Sequence, residues 1–177
     1  MDWKHIHEIT TAGRKTYTEF KQLCIWNKDI GGMGTFYRNK HELVFVFKNG
    51  DEKHTNNFEL GQNGRYRTNV WDYPAVSSFA GREALEDENG NKLPGTSKEL
   101  EMHPTVKPLK LVADTILDCS NTGELVADFF LGSGTTLIAS EKTDRICYGM
   151  EISPHYCDVT VKRWEEISGE KVELLSC

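Results

Sequence analysis

Apolar side chains at Ile6, Ile9, Tyr17 and Phe20, with Ala12 and Gly13 between them, predict an amphipathic helix over residues 5–20. Gly13 and several Thr weaken it. Leu23-Cys24-Ile25-Trp26 reads as a strand, and Asn27-Lys28 opens a loop. In that loop Gly31-Gly32-Met33-Gly34 is free to move or to approach a ligand closely. Leu43 to Phe47 is an unbroken apolar run ended by Lys48-Asn49-Gly50, which predicts a strand buried on both faces.

The pattern then breaks. Residues 51–102 are polar, rich in Asn and Gly, and poor in aliphatic side chains. Glu83 to Glu101 is acidic and turn-rich, as expected of a surface excursion. His103-Pro104-Thr105-Val106-Lys107-Pro108 is a stiff turn, because each proline restricts the residue before it. Pro108 is placed to open a helix with Leu109, Val112, Ala113, Ile116 and Leu117 on one face. Ser153-Pro154 has the form of a helix start, and that helix runs past Val159 and Trp164 towards Ser168-Gly169. Val172 to Leu175 has the composition of a short strand.

Between these helices lies the most informative stretch. Leu125-Val126-Ala127 predicts a strand, Asp128 to Gly134 a glycine turn, and Leu137 onward a helix. Ile146 to Met150 predicts a second strand that ends on Glu151. Strand, glycine turn, helix, strand is the layout of a nucleotide-cofactor site. Amides at a helix start attract anionic groups. A carboxylate ending the second strand can accept hydrogen bonds from ribose hydroxyls. No Lys follows Gly134, which argues against a Walker phosphate loop, and Leu137 stands where a dinucleotide fingerprint wants a small residue. Phe-x-Gly-x-Gly after an Asp resembles the S-adenosylmethionine (SAM) loop of methyltransferases, with a glycine turn of no function as the alternative.

Composition narrows the class. With 38% hydrophobic and 27% charged residues among 177, the chain has the composition of one globular domain of ordinary size, and its strand–turn–helix–strand pattern reads as α/β. Apolar runs are strand-sized, so no membrane span is expected, and the start is not that of a signal peptide. Five cysteines without a Cys-x-x-Cys pair predict reduced, buried thiols in a cytoplasmic protein. His5 and His7 point apart on a helix, so no metal is expected. A net charge of −6 argues against binding of nucleic acid over the whole surface but leaves room for a local basic patch. Arg65, Arg67 and Asn69, with Tyr66 and Thr68 among them, mix the groups that contact phosphates and bases.

Four stretches resemble one family: Asp2-Trp3 with Leu23 to Lys28, Phe36 to Phe45, Arg67 to Pro74, and His103 to Pro108 followed by Asp128 to Thr136. The chain resembles the DNA methyltransferases that act on the exocyclic amine of adenine or cytosine. Its likeness is greatest to the type in phage and plasmid proteins, sometimes fused to a ParB-like domain. The resemblance implies a Rossmann-like SAM-dependent methyltransferase fold with an inserted target-recognition region. Residues 1–50 would then be strands of the methyltransferase sheet, 51–102 the target-recognition insert, and 103–177 the SAM-binding part. It implies that Asp128, Phe130, Gly132, Ser133 and Gly134 surround the methionine and ribose of SAM, with Thr135 behind them at the helix start. It implies that Glu151 binds the ribose hydroxyls and that His103, Thr105, Lys107 and Pro108 form a companion cofactor motif. Arg65 and Arg67 would be leading contacts to double-stranded DNA, with adenine the expected base.

The chain departs from the family in two places. Phe129 stands where the family has Pro. The family's catalytic Asp/Asn/Ser-Pro-Pro-Tyr/Phe/Trp is absent, because the five prolines at 74, 94, 104, 108 and 154 are never adjacent. No catalytic residue is therefore assigned. The expectation is the carboxy-terminal portion of a methyltransferase, incomplete in its sheet, whose catalytic motif lies upstream or in a second polypeptide. Exposed sheet edges would favour self-association. A catalytically inactive remnant that still binds SAM or DNA is the alternative.

Overall fold

In the computed structural model, residues 1–33, 36–76 and 106–175 are described. The chain divides into two compact units, Met1–Ala84 and Leu85–Cys177. No helix among the described residues is long and apolar enough to cross a membrane.

The first unit opens with helix α1, Ile6–Thr16, followed by strand β1, Glu19–Asn27. The helix ends earlier than residue 20. Tyr17 is already extended, and Phe20 belongs to β1, where it pairs with Phe47. β2, His41–Lys48, runs antiparallel to β1, and β3, Val70–Asp72, runs parallel to β1 on its other side. Only Leu43 of β2 is buried, so the expectation of a strand covered on both faces is not met. Met1 and Leu43 exchange backbone hydrogen bonds along the free side of β2, at 2.8 and 3.1 Å.

β3 comes from the polar stretch assigned to the insert. It is held by Trp26, whose indole N–H donates to the Tyr73 carbonyl at 2.7 Å. Trp26 and Trp71 are both buried, which gives this short sheet an aromatic core.

The second unit has helix α2, Leu109–Cys119, then β4, Leu125–Asp128, helix α3, Thr135–Lys142, β5, Ile146–Gly149, and helix α4, Pro154–Ser168. β4 and β5 pair in parallel, Leu125 opposite Ile146 through Asp128 opposite Gly149. Helix α3 crosses between them and packs on β5 and α2, with Ile138 and Ala139 fully buried. Pro108 has extended backbone and caps α2 from outside, so it is not the first helical residue. Leu111, Ile116 and Asp118 are the residues that α2 buries. Val172 to Leu175 forms no strand.

Among the described cysteines, Cys24 is buried, Cys147 is half-buried, and Cys119 and Cys157 are exposed, so burial holds for only part of the set. All four are free thiols.

Candidate cofactor site

β4 delivers Asp128 to the end of the sheet, and the chain must turn at once to enter α3. The Asp128 carboxylate makes that turn. Oδ1 accepts from the Phe130 N–H at 2.9 Å, and Oδ2 accepts from the Thr136 hydroxyl at 2.6 Å. One side chain thus fastens the strand end to the first turn of the helix. Gly132 and Gly134 have φ of 57° and 82°, a region that costs a residue with a Cβ.

The neighbouring strand closes the loop from the other side. Met150 N–H donates to the Asp128 carbonyl at 2.8 Å, and Leu131 N–H to the Met150 carbonyl at 3.0 Å. Glu151 follows. Its Oε2 accepts from Gly132 N–H and its Oε1 from Ser153 N–H, both at 2.8 Å. The Glu151 carboxylate therefore orders both the glycine loop and the entry to α4. Ser153 occupies the cap position without a side-chain cap bond, so Glu151 supplies an acceptor at that helix start.

The other sequence-assigned residues fall into three groups. Ser133 and Thr135 are buried beneath the loop, whereas Phe130 is 90% exposed at its tip. Lys107 is exposed, Pro108 half-buried. His103 and Thr105 lie outside the described residues, as does the acidic stretch from Glu83 to Glu101. Three residues at the site had no place in the sequence assignment: Thr136, Thr160 and Arg163. Thr160 and Arg163 are polar yet buried on α4, and polar residues on the inward stripe of an amphipathic helix are the signal that marks them.

Burial pushes the Cys147 thiol up; a hydrogen bond with Ser140 partly opposes this, and the nearby Asp128 carboxylate adds to it.

In the first unit, the residues expected on DNA meet different fates. The Arg67 guanidinium donates to the Tyr73 hydroxyl at 2.7 Å and lies 5.1 Å from the Trp71 ring centre. Half-buried, it braces β3 through these contacts. Asn69 is similarly engaged. Its carbonyl accepts from Ile25 N–H at 2.8 Å, and its side chain reaches the Leu23 carbonyl at 3.4 Å. Arg65 is half-buried.

Against known proteins, residues 6–162 match the family model described as DNA methylase, of the N6/N4 methyltransferase group. The chain belongs to this DNA methylase family. It is 34% identical over 164 residues to the type II methyltransferase M.HinfI of Haemophilus influenzae, covering 86% of this chain and 42% of that protein. The chain thus spans less than half the length of that relative. The crystal structure of an M1.HpyAVI–SAM complex superposes with a TM-score of 0.67 at 23% identity, over 92% of this chain and 71% of that one. The cytosine-N4-specific PvuII DNA methyltransferase superposes with a TM-score of 0.59 at 18% identity, over 84% of this chain and 54% of that one. These likenesses establish the methyltransferase fold.

Proposed function

We propose that this DNA methylase chain forms the methyl-donor half of a site-specific DNA amino-methyltransferase, holding SAM at the carboxyl ends of β4 and β5. One observation carries the reading. Asp128 and Glu151, at the ends of adjacent parallel strands, grip the same glycine loop at the start of α3. Ligands of open α/β sheets bind outside such strand ends.

The residues fit the donor. Gly132 and Gly134 keep the loop free of side chains where a ligand must approach closely. An ionised carboxylate can accept about four hydrogen bonds, so Glu151 can hold two amides and still accept from ribose hydroxyls. Asp128, Phe130, Ser133, Thr135 and, before α2, His103, Thr105, Lys107 and Pro108 complete the proposed contacts. SAM supplies an electrophilic methyl group carried on a sulfonium. The chain's own part is binding and orientation, which in methyl transfer is most of the task.

The acceptor is double-stranded DNA with one base turned out of the stack, its exocyclic amine presented to the donor. Adenine is the proposed base. The M.HinfI likeness supports the family reading but does not decide between adenine and cytosine, and the PvuII likeness is to a cytosine-N4 enzyme. The acceptor-side Pro-Pro motif is supplied by residues beyond this sequence or by a second polypeptide, because no two prolines here are adjacent. Arg65, Arg67 and Asn69 are the proposed DNA contacts.

Calorimetric titration of SAM into the purified chain tests the reading. Weak binding is expected, and Asp128→Ala or Glu151→Ala should weaken it further while circular dichroism stays native. Affinity unchanged in both variants would remove the cofactor assignment.

A further inference from the structure

The back of the glycine loop rests on α4, a helix to which the cofactor reading gives no role. Thr160 Oγ1 donates to the Gly132 carbonyl at 2.9 Å. Arg163, three residues on and on the same helical face, donates through Nη1 to the Ser133 carbonyl at 3.0 Å and to Thr135 Oγ1 at 3.2 Å. Thr160 is 6% and Arg163 4% exposed. These are interior contacts made to the backbone of the loop, not surface decoration.

Their geometry constrains which way the loop's amides face. In a trans peptide the N–H points opposite to the carbonyl of the preceding residue. Holding the Gly132 carbonyl towards α4 therefore turns the Ser133 N–H away from α4. Holding the Ser133 carbonyl there directs the Gly134 N–H to the Leu131 carbonyl, 3.0 Å away, which closes the turn before α3. Glycine at 134 is what lets the loop lie this close to α4, because a Cβ there would stand 2.7 Å from Thr160 Cγ2.

We propose that Thr160 and Arg163 are positioning residues for the donor loop, fixing the peptide planes of Gly132 and Ser133 so that the face carrying the Ser133 N–H is turned towards SAM. The proposal rests on the SAM reading for its consequence but not for its geometry. Two measurements separate them. Backbone amide signals of Ser133 and Gly134, recorded by nuclear magnetic resonance on the ligand-free chain, report the orientation. SAM titration reports what the orientation is for.

Thr160→Val keeps the shape of the side chain and removes its donor. At a temperature well below its melting point, it should shift both amide signals and lower SAM affinity about tenfold, the effect of one unpaired buried acceptor. Thr160→Ser should restore both readouts. A merely structural threonine would lower the melting temperature and leave the two signals and the affinity in place, and that result overturns the proposal. Should Thr160→Val fail to fold, Arg163→Lys keeps the charge without the planar fork, and the same readouts with the same outcomes decide. A wild-type chain that binds no SAM would defeat the cofactor reading alone, since the amide signals still report the orientation.

Discussion

At Gly134 two independent constraints coincide. Its φ of 82° is left-handed, and the space where a Cβ would stand is taken by the methyl of Thr160, 2.7 Å away. Thr160 is buried and held by its hydrogen bond to the Gly132 carbonyl, so its methyl cannot yield easily. Gly134→Ala should therefore cost about 1–3 kcal/mol in backbone strain alone, with the clash adding to it. Urea denaturation would measure the loss; a variant as stable as wild type would show that the loop relaxes freely. Asp128, Gly132, Gly134 and Glu151 stood out in the sequence because acids and glycines at that spacing have few other uses. Hidden there was how the acids act on the loop itself. Asp128 reaches Thr136 and Phe130, and Glu151 reaches back to Gly132. For Thr160 and Arg163 the helical pattern could mark only their polarity on the inward face of α4; their partners lie 28 and 30 residues away and meet them through packing.

Among the elements, α1 and β1 show where local pattern and tertiary contact diverge. Apolar spacing carries the helix to Phe20, yet the ring of Phe20 stacks on Phe45 and packs tilted against Phe47 across the strand pair. Cross-strand aromatic packing overrides helical spacing there. Gly13 looked like a weak point of α1. It is the residue that lets the helix approach β2, since a Cβ there would lie 2.2 Å from Phe47 Cζ. Tyr17 stacks on that ring at 5.3 Å, Phe20 packs tilted against it at 5.0 Å, and together they limit its escape. Gly13→Ala would gain about 1 kcal/mol of helix propensity and lose about 1–3 kcal/mol to overpacking. A lower melting temperature is the expected outcome, and a higher one would mean that the ring moves aside. β3 was unreadable for a different reason. Three residues within a polar stretch carry no periodicity, and the strand exists because Ile25, Trp26 and Asn27 pair with it.

For the whole molecule, family membership and the missing acceptor motif pull in different directions. Residues 6–162 match the DNA methylase model, but no Pro-Pro occurs in 177 residues. The chain by itself is expected to transfer no methyl group to duplex DNA. Incorporation of labelled methyl above background would show that another residue set prepares the base. Restored transfer on adding a polypeptide that carries Asp-Pro-Pro-Tyr would support the donor-half reading. The amino-acid sequence by itself determined the class of fold, the strand–loop–helix–strand unit and the family, because these rest on short-range spacing and on residue types with few alternatives. Tertiary structure alone decided that Arg67 braces an aromatic core, that Glu151 holds its own loop, and that α4 backs that loop. Those outcomes depend on which side chains distant segments bring within hydrogen-bonding distance, and no local pattern encodes that.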